Sequence, residues 1–247
     1  MLFSSLLIGA TGPVCAATPD SPDGWDIDLQ LHLWAALPDG TTAGGNNLEI
    51  DVLDLLDNVD FFYMGSIGAH TDRWLVLGDI LRFSLSGQDT DTVTVLGRPV
   101  DTSFDIGLSG WVLNLVGGYR ALKTDRASLD VIFGARDFHL NADIAVAVGN
   151  QALPLSGSSH LLDGIIGVRG NVGITDHWYF SYELDGGTGD TDSTWQAKTG
   201  AGYQLEKLDI VFGYRHLRWN FADDDPGGKI LKDLEFRGPY AGVKFVF

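Results

Sequence analysis

Five charged side chains fall in four consecutive short segments in the second half of the chain, each among apolar residues. They are Arg169, Glu183, Asp185, Lys198 and Arg215. Opposite charges held at one depth could neutralise each other in a salt-bridge network, line a path for ions, or supply acid–base catalysis. Which of these chemistries applies depends on the elements that position the five side chains.

The elements are indicated by a strict alternation of apolar and polar residues. Residues 24–37 read GWDIDLQLHLWAAL, and a period of two predicts a β-strand with one apolar and one polar face. We find ten such segments, most of them long enough for the about 9–11 residues of a tilted transmembrane strand. They cover residues 24–37, 60–71, 74–86, 104–121, 127–148, 161–175, 178–188, 193–205, 208–222 and 232–247.

The connections between these segments are short at one end of the strands and mostly long at the other. The short gaps are 71–73, 123–126, 175–177 and 205–207, and the other gaps are 38–59, 87–103, 149–160, 189–192 and 223–231. Bacterial membrane barrels have short periplasmic turns and longer external loops, whereas a soluble β-sandwich has no reason to sort its loops by length. Aromatic residues beside the short gaps predict a girdle at one membrane interface: Trp74, Tyr119, Trp178 and Tyr203.

These observations predict an all-β fold, a transmembrane antiparallel up-and-down β-barrel of about ten strands, with eight or twelve left open. The outer parts of segments 104–121 and 127–148 change face and could be bulged or split. The formal net charge of −17 argues against nucleic acid as a partner. Residues 1–16 read as a signal peptide that contains the single cysteine, Cys15, so residues 17–247 form the barrel domain.

Several stretches resemble a family of small, mostly uncharacterised outer-membrane β-barrel proteins of Gram-negative bacteria. They are FYMGSIGAHTDRWLVLGD, STWQAKTGAGYQL, IVFGYRHLRW and GPYAGVKFVF. The resemblance implies an integral outer-membrane location, with membrane lipid and lipopolysaccharide as surroundings, and supplies no established activity. It also implies that the last strand is recognised by barrel-assembly machinery through its lipid-facing residues Ala241, Val243, Phe245 and Phe247.

Counted from the nearest short gap, the five charged residues lie about five to seven positions into their strands, which predicts one layer at mid-depth in the lumen. Asp79, Asn114, Asp130 and Arg136 could join this layer from earlier strands. A barrel of about eight to ten strands is roughly filled by its own side chains. We therefore favour a polar, mostly filled lumen and a structural or interaction role. A narrow porin-like channel for small solutes is the alternative, and an enzyme is the third possibility.

The first long gap contains a predicted amphipathic helix over residues 48–59. Leu48, Val52, Leu55 and Leu56 share one of its faces, and its charged residues are all acidic. A helix on an anionic membrane surface normally carries Lys and Arg, which favours a plug or lid for the barrel. A helix that packs on the rim is an equal alternative.

Metal binding and catalysis have weaker support in the sequence. The acidic residues of the outer gaps could bind Ca²⁺ but lack the spacing of a calcium motif, so we expect solvated charge. Asp137 and His139 lie two positions apart and could orient each other for proton transfer. The chain contains neither a Gly-x-Ser-x-Gly elbow nor a His-Glu-x-x-His helix. We expect no cofactor, no resident metal and no enzyme activity. The third possibility, an enzyme, corresponds to a protease or a lipid-modifying barrel enzyme.

Overall fold

The computed structural model describes residues 24–42, 47–49, 59–95, 98–148, 151–222 and 231–247. These residues form twelve β-strands. They are β1 (Asp26–Trp34), β2 (Leu37–Thr42), β3 (Asn47–Glu49), β4 (Val59–His70), β5 (Trp74–Val95), β6 (Arg98–Lys123), β7 (Ala127–Val148), β8 (Gln151–Gly173), β9 (Trp178–Gly189), β10 (Ser193–Gln204), β11 (Asp209–Asn220) and β12 (Leu231–Val246). In this part of the chain, no helix is long and apolar enough to cross a membrane.

Ten of these strands, β1 and β4 to β12, form a closed antiparallel barrel, as the sequence predicts. Each strand pairs with its neighbour in this order, and β12 pairs back with β1 from Asp28↔Val246 to Trp34↔Tyr240. At the end of this seam the backbone N–H of Phe247 donates to the carbonyl oxygen of Ile27 at 2.9 Å. The β1–β12 pairing satisfies the backbone groups that an open sheet would leave exposed along its edges.

Strands β2 and β3 extend the sheet beyond the barrel. β2 begins after a break at Ala35 and Ala36 and pairs with the first part of β12, and β3 pairs with β2. The predicted helix over 48–59 is therefore wrong at both ends, because Leu48 lies in β3 and Val59 begins β4. The helix was predicted from an apolar period over only twelve residues. That pattern gives no sign that Asn47–Glu49 pairs with the preceding strand β2. Residues 50–58 lie outside the described part.

The two ends of the barrel differ. At the turn end, which we define by the short connections, three of the four turns repeat Thr-Asp-Arg or Thr-Asp-His. In each, the Thr hydroxyl oxygen accepts from the backbone N–H two and three residues later, with N···O distances of 2.9–3.4 Å for Thr71, Thr124 and Thr175. Such side-chain bonds stabilise tight turns.

At the opposite end, the hairpin end, two pairs of strands are longer than the sequence predicts. Gap 87–103 is strand on both sides of residues 96–97, and gap 149–160 is strand from Gln151 onward. Pairing of β6 with β7 runs without a register shift from Thr102↔Val148 to Arg120↔Asp130, so neither strand is split. These segments are rich in Thr, Val and Ser, which favour strands, but lack the single apolar face that made the other strands recognisable.

The outward face of β5 to β8 carries an apolar band. An aromatic row bounds it toward the turn end, and a row that contains Arg82 and Trp111 bounds it toward the hairpin end. Trp74 pairs with Tyr119 near the turn end, and Arg82 pairs with Trp111 toward the hairpin end. The eight residue steps from Trp74 to Arg82 span about 26 Å along the strand, or about 20 Å of height at a tilt of about 40°. The large apolar side chains exposed within this band include Val76, Ile80, Leu113, Leu115, Phe133 and Ile166.

Candidate functional site in the barrel interior

Six polar side chains form a closed ring of hydrogen bonds across the interior, and each is at most 6% exposed. This six-residue ring consists of Asp79, Asn114, Arg136, Asp185, Gln196 and Arg215. Along one half of it, the Asn114 side-chain amide donates to Asp79 at 3.0 Å and accepts from Arg136 Nε at 2.8 Å. Arg136 then donates through Nη2 to Asp185 Oδ1 at 2.6 Å.

The other half of the ring returns through Gln196. Gln196 Nε2 donates to Asp185 Oδ2 at 3.0 Å, and its carbonyl oxygen accepts from Arg215 Nε at 2.9 Å. Arg215 Nη2 closes the ring on Asp79 Oδ1 at 2.8 Å. Both guanidinium groups are fully buried, and buried charges are tolerated when they are paired and hydrogen-bonded.

The ring crosses the barrel rather than following its wall. Arg215 on β11 reaches Asp79 on β5, although β12, β1 and β4 lie between these strands in the sheet. Its Nη1 donates to the sulfur of Met64 on β4 at 3.0 Å, and its Cζ lies 5.4 Å from the ring centre of Trp34 on β1. Arg136 on β7 likewise reaches past β8 to Asp185 on β9 and Thr194 on β10. Arg215 therefore links distant walls of the barrel, and Arg136 links strands two and three positions apart.

The seven residues predicted for the mid-depth charge layer occupy different places. Asp79, Arg136, Asp185 and Arg215 lie in the ring. Glu183 touches it, because its Oε1 accepts from Gln196 at 2.7 Å. The remaining two, Arg169 and Lys198, lie on the turn-end side among the residues that line a cavity described below.

Of the two uncharged members of the ring, the sequence predicts Asn114 for the layer but not Gln196. Thr194, whose hydroxyl oxygen accepts from Arg136 at 2.8 Å, is not among the predicted residues either. The same holds for Asp163, which is 1% exposed and accepts from both the backbone N–H and the hydroxyl of Thr191 at 3.0 Å. Their alternation with apolar neighbours was the available signal.

An apolar cluster occupies the interior on the hairpin-end side of the ring. Its centre is aromatic: the rings of Phe138 and Trp219 stack with centroids 4.5 Å apart, and Phe236 lies 6.2 Å from Trp219 and 5.1 Å from Phe83. Each of these four side chains is at most 2% exposed. Their close packing leaves the region between the ring and the hairpin end occupied by side chains.

A cavity of about 110 Å³ lies on the turn-end side of the ring. One part of its lining is apolar and includes Leu75 and Leu77, which belong to a second buried cluster with Val116, Ile132 and Ile165. The polar residues that line it include His32, Arg169, Ser181, Glu183, Lys198 and Tyr240. The ammonium group of Lys198 lies 5.3 Å from the ring centre of Tyr240.

The predicted contact between Asp137 and His139 is replaced by a different pairing. His160 Nε2 lies 2.7 Å from Asp137 Oδ1. His139 packs between two rings: Trp111 is stacked at a centroid distance of 5.4 Å, and His160 is 5.0 Å away. The reason is the β7–β8 register, which places His139 directly opposite His160. The alternation of β6 to β8 places the four side chains on the outward face.

The structure describes one of the four residues predicted for a lid, and it describes all four residues predicted as the assembly signal. Leu48 pairs with Gly40 in the β2–β3 extension, while Val52, Leu55 and Leu56 lie outside the described residues. Ala241, Val243 and Phe245 alternate in β12 with Gly242 and Lys244, and Phe247 follows directly after the strand; Lys244 lines the cavity. Phe247 is 58% exposed.

The structure describes only some of the acidic residues in the outer gaps, for which Ca²⁺ binding was the alternative to solvated charge. Asp190 Oδ2 accepts from the backbone N–H of Leu162 at 2.9 Å. Asp89 and Asp91 lie in the extended part of β5, and Asp223 to Asp225 lie outside the described residues. Within the described ranges, no group of three or more His, Cys, Asp or Glu residues could hold a metal ion.

The sequence matches no protein family model and no curated protein. Solved structures with a similar course of the chain are membrane β-barrel proteins. The translocator domain of the autotransporter NalP from Neisseria meningitidis is 12% identical, with a TM-score of 0.45 over 94% of this chain and 90% of that chain. Ail from Yersinia pestis is 11% identical, with a TM-score of 0.36 over 90% and 97%. The toluene transporter TodX from Pseudomonas putida is 12% identical, with a TM-score of 0.34 over 92% and 90%. At these identities and TM-scores, we draw no functional conclusion from the likeness.

Proposed function

We propose that the chain is an integral outer-membrane β-barrel protein with a sealed lumen and a structural or interaction role. The apolar band on the outward face supports the membrane location. Ile166, for example, is 66% exposed on the outside of a closed barrel, and an apolar surface of this extent is unfavourable in water. In a bilayer the same band matches the outward-facing apolar belt of about 25 Å found on membrane barrels.

The two ends of the barrel support one orientation. The short turns correspond to the periplasmic side and the long hairpins to the outside of the cell. The pairs Trp74–Tyr119 and Trp178–Tyr203, with ring centroids 5.2 and 5.0 Å apart, then lie at the periplasmic interface, where aromatic girdles occur. In this arrangement residues 1–16 are the proposed export signal.

The proposal of a sealed lumen rests on one observation, the six-residue ring. Its bonds link opposite walls, and its members are at most 6% exposed. A channel needs a continuous polar path. Here the apolar cluster around Phe138 and Trp219 lies directly beyond the ring on the hairpin-end side. The ring and this cluster together argue against conduction, so we place the porin-like channel second.

The long hairpins are the part of the protein proposed to meet other molecules. Beyond the Val59↔Leu85 pair, β5 pairs only with β6, and β8 pairs with β9 no further than Asp163↔Gly189. Strands β5 to β8 therefore extend as a four-stranded sheet past the band. We propose that lipopolysaccharide and membrane lipid surround the barrel. We also propose that barrel-assembly machinery recognises its last strand. Nucleic acid is not among the proposed partners.

A quenching experiment tests the membrane location. In a Cys15→Ser background, Leu115→Cys and Asp125→Cys are each labelled with a small fluorophore and refolded into vesicles that contain lipids brominated along the acyl chain. Leu115 lies in the middle of the apolar band, and Asp125 lies in a turn. We expect strong quenching at position 115 and little at 125. Equal weak quenching at both positions would contradict the proposal.

A further inference from the structure

We propose that the turn-end cavity is a binding site for a small oxyanion, of the phosphate or carboxylate class. The first observation is Lys198. Its side chain lines the cavity and contacts the face of Tyr240, and within the described ranges no carboxylate lies within 4.0 Å of its ammonium group. An ammonium group inside a protein normally has a hydrogen-bonded partner, so a ligand could supply the missing one.

The second observation is independent and concerns His32 on β1. This residue is 3% exposed and lines the same cavity, and its Nδ1 has no hydrogen-bond partner. Its ring meets Tyr240 edge-on at a centroid distance of 5.1 Å. Buried polar atoms are almost always bonded to protein, water or ligand. The side chains of Lys198 and His32 therefore line the same cavity next to Tyr240, although the Nδ1 atom of His32 is itself enclosed by protein atoms.

The balance of charge around the cavity favours an anion. Four cationic side chains line it, Arg120, Arg169, Lys198 and Lys244, against three carboxylates, Asp28, Asp130 and Glu183.

All three carboxylates already have partners, and Asp28 accepts from Gln30 Nε2 at 2.9 Å. Asp130 accepts from Arg120 Nε at 2.8 Å, and Glu183 accepts from Gln196 at 2.7 Å. Arg169 remains only loosely held, with Nε 3.8 Å from Glu183. In a chain of net charge −17 this locally cationic lining is unusual.

The dimensions limit the ligand. A volume of about 110 Å³ accommodates a few water molecules or an anion of several heavy atoms. Ser181 and Tyr240 also line the cavity, and their hydroxyl groups donate to the carbonyl oxygens of Gly200 and Thr199 at 3.5 and 3.3 Å. The six-residue ring closes the side away from the turns. A ligand must therefore enter from the turn end, and the binding does not depend on the membrane location proposed above.

Titration calorimetry on the refolded full chain in detergent tests the site. Inorganic phosphate and acetate are titrated separately, in a buffer free of both, with sodium chloride at matched ionic strength as the reference. We expect saturable binding of at least one oxyanion and none of chloride. Binding of phosphate alone assigns the phosphate class, and binding of acetate alone assigns the carboxylate class.

Three variants locate the binding. Lys198→Met removes the ammonium group but keeps the apolar stem, and we expect it to weaken binding by at least about tenfold. Lys198→Arg should keep most of the affinity. Lys207→Met removes the same charge from an exposed turn at the same end of the barrel and should leave affinity unchanged. Resistance of the unheated protein to dodecyl sulfate verifies that each variant is folded. Absence of saturable binding to the wild type, or equal binding by folded Lys198→Met, would overturn the proposal.

Discussion

Arg215 and Asp79 lie on strands separated by three others in the barrel wall, and yet Nη2 of Arg215 is 2.8 Å from Oδ1 of Asp79. Both side chains are buried, and the bond between them crosses the interior. It closes the six-residue ring, which separates the polar cavity on the turn-end side from the aromatic cluster on the other. The fold therefore uses one pair of opposite charges to connect walls that share no backbone hydrogen bonds.

Loss of one member of this pair should destabilise the barrel strongly. Asp79→Asn leaves the Arg215 guanidinium buried without its counter-charge, a change that typically costs about 3–5 kcal/mol. Urea unfolding in lipid vesicles measures the effect. The matched control is Asp39→Asn, which removes an ion pair with the 47% exposed Arg237 and should cost at most about 1 kcal/mol. Similar costs for the two variants would show that the ring does not hold the walls together.

Two phenylalanines on β7 distinguish the inward from the outward face. Phe138 is 1% exposed inside the barrel, and Phe133 is 57% exposed outside it. Phe138→Ala should cost about 3–5 kcal/mol, because it removes apolar contact and leaves a cavity. Phe133→Ala should cost less, about 1.5–3 kcal/mol, because lipid fills the space. Unfolding free energies in the same vesicles provide the comparison, and a larger loss for Phe133→Ala would reverse the assigned faces.

A charge in the outward band should be costly only in a bilayer. Ile166→Arg places a guanidinium group near mid-band and should cost about 2–4 kcal/mol in lipid. His160→Arg, at the row of Arg82 and Trp111, should cost about 0–1 kcal/mol, because charges are tolerated near the interface. If the barrel were a water-soluble protein, both substitutions would be nearly neutral, since both side chains are exposed.

One turn should show a pH dependence. Asp72, in the first short turn, accepts a hydrogen bond from Lys123, which holds the pKa of this carboxyl below its ordinary value of 3.8. The associated stabilisation is therefore present above the ordinary pKa and is lost as the pH falls through the lowered one. An NMR titration of the Asp72 carboxyl should give a depressed pKa that returns to the ordinary value in Lys123→Met. An unchanged pKa in that variant would assign the shift to another cause.

The repeated threonines of the turns offer a local test. Thr124→Ala removes a hydroxyl that accepts from two backbone N–H groups, and each such bond is worth about 0.5–1.5 kcal/mol. Thr124→Ser retains the hydroxyl and should behave like the wild type. We expect the alanine variant alone to unfold at lower urea concentration. Equal midpoints for both variants would show that the backbone bonds of the turn suffice.

The barrel was predictable from the sequence because apolar and polar residues alternate along most of its strands. In segments such as 24–37, one face of the strand is apolar and the other is polar, so the period of two is evident. The short turns were predicted from the short gaps between these segments. The strands past the band were missed, because in stretches such as 87–103 no single face is apolar. The extension β2–β3 was missed because its pairing depends on β12, far along the chain: Asp39 pairs with Glu235, 196 residues later.

The interior was predictable in its charges but not in its connections. Arg136, Asp185 and Arg215 were identified because a charge on an alternating strand is conspicuous. Which partner each one reaches depends on strand stagger, which the sequence does not specify to within one residue. The uncharged Gln196 and Thr194 therefore went unnoticed. The aromatic cluster was hidden because residues such as Trp219 continue the inward face of a strand that was expected to be polar inside.

Single-channel recording tests the sealed lumen most directly. The refolded protein is inserted into a planar bilayer, intact and with residues 46–58 deleted. We expect no conductance steps from either form, because the six-residue ring and the aromatic cluster both lie in the barrel wall strands and remain after the deletion. Discrete steps from the intact protein would contradict the account and establish a channel. Steps from the deletion alone would show that the segment, rather than the ring, closes the barrel.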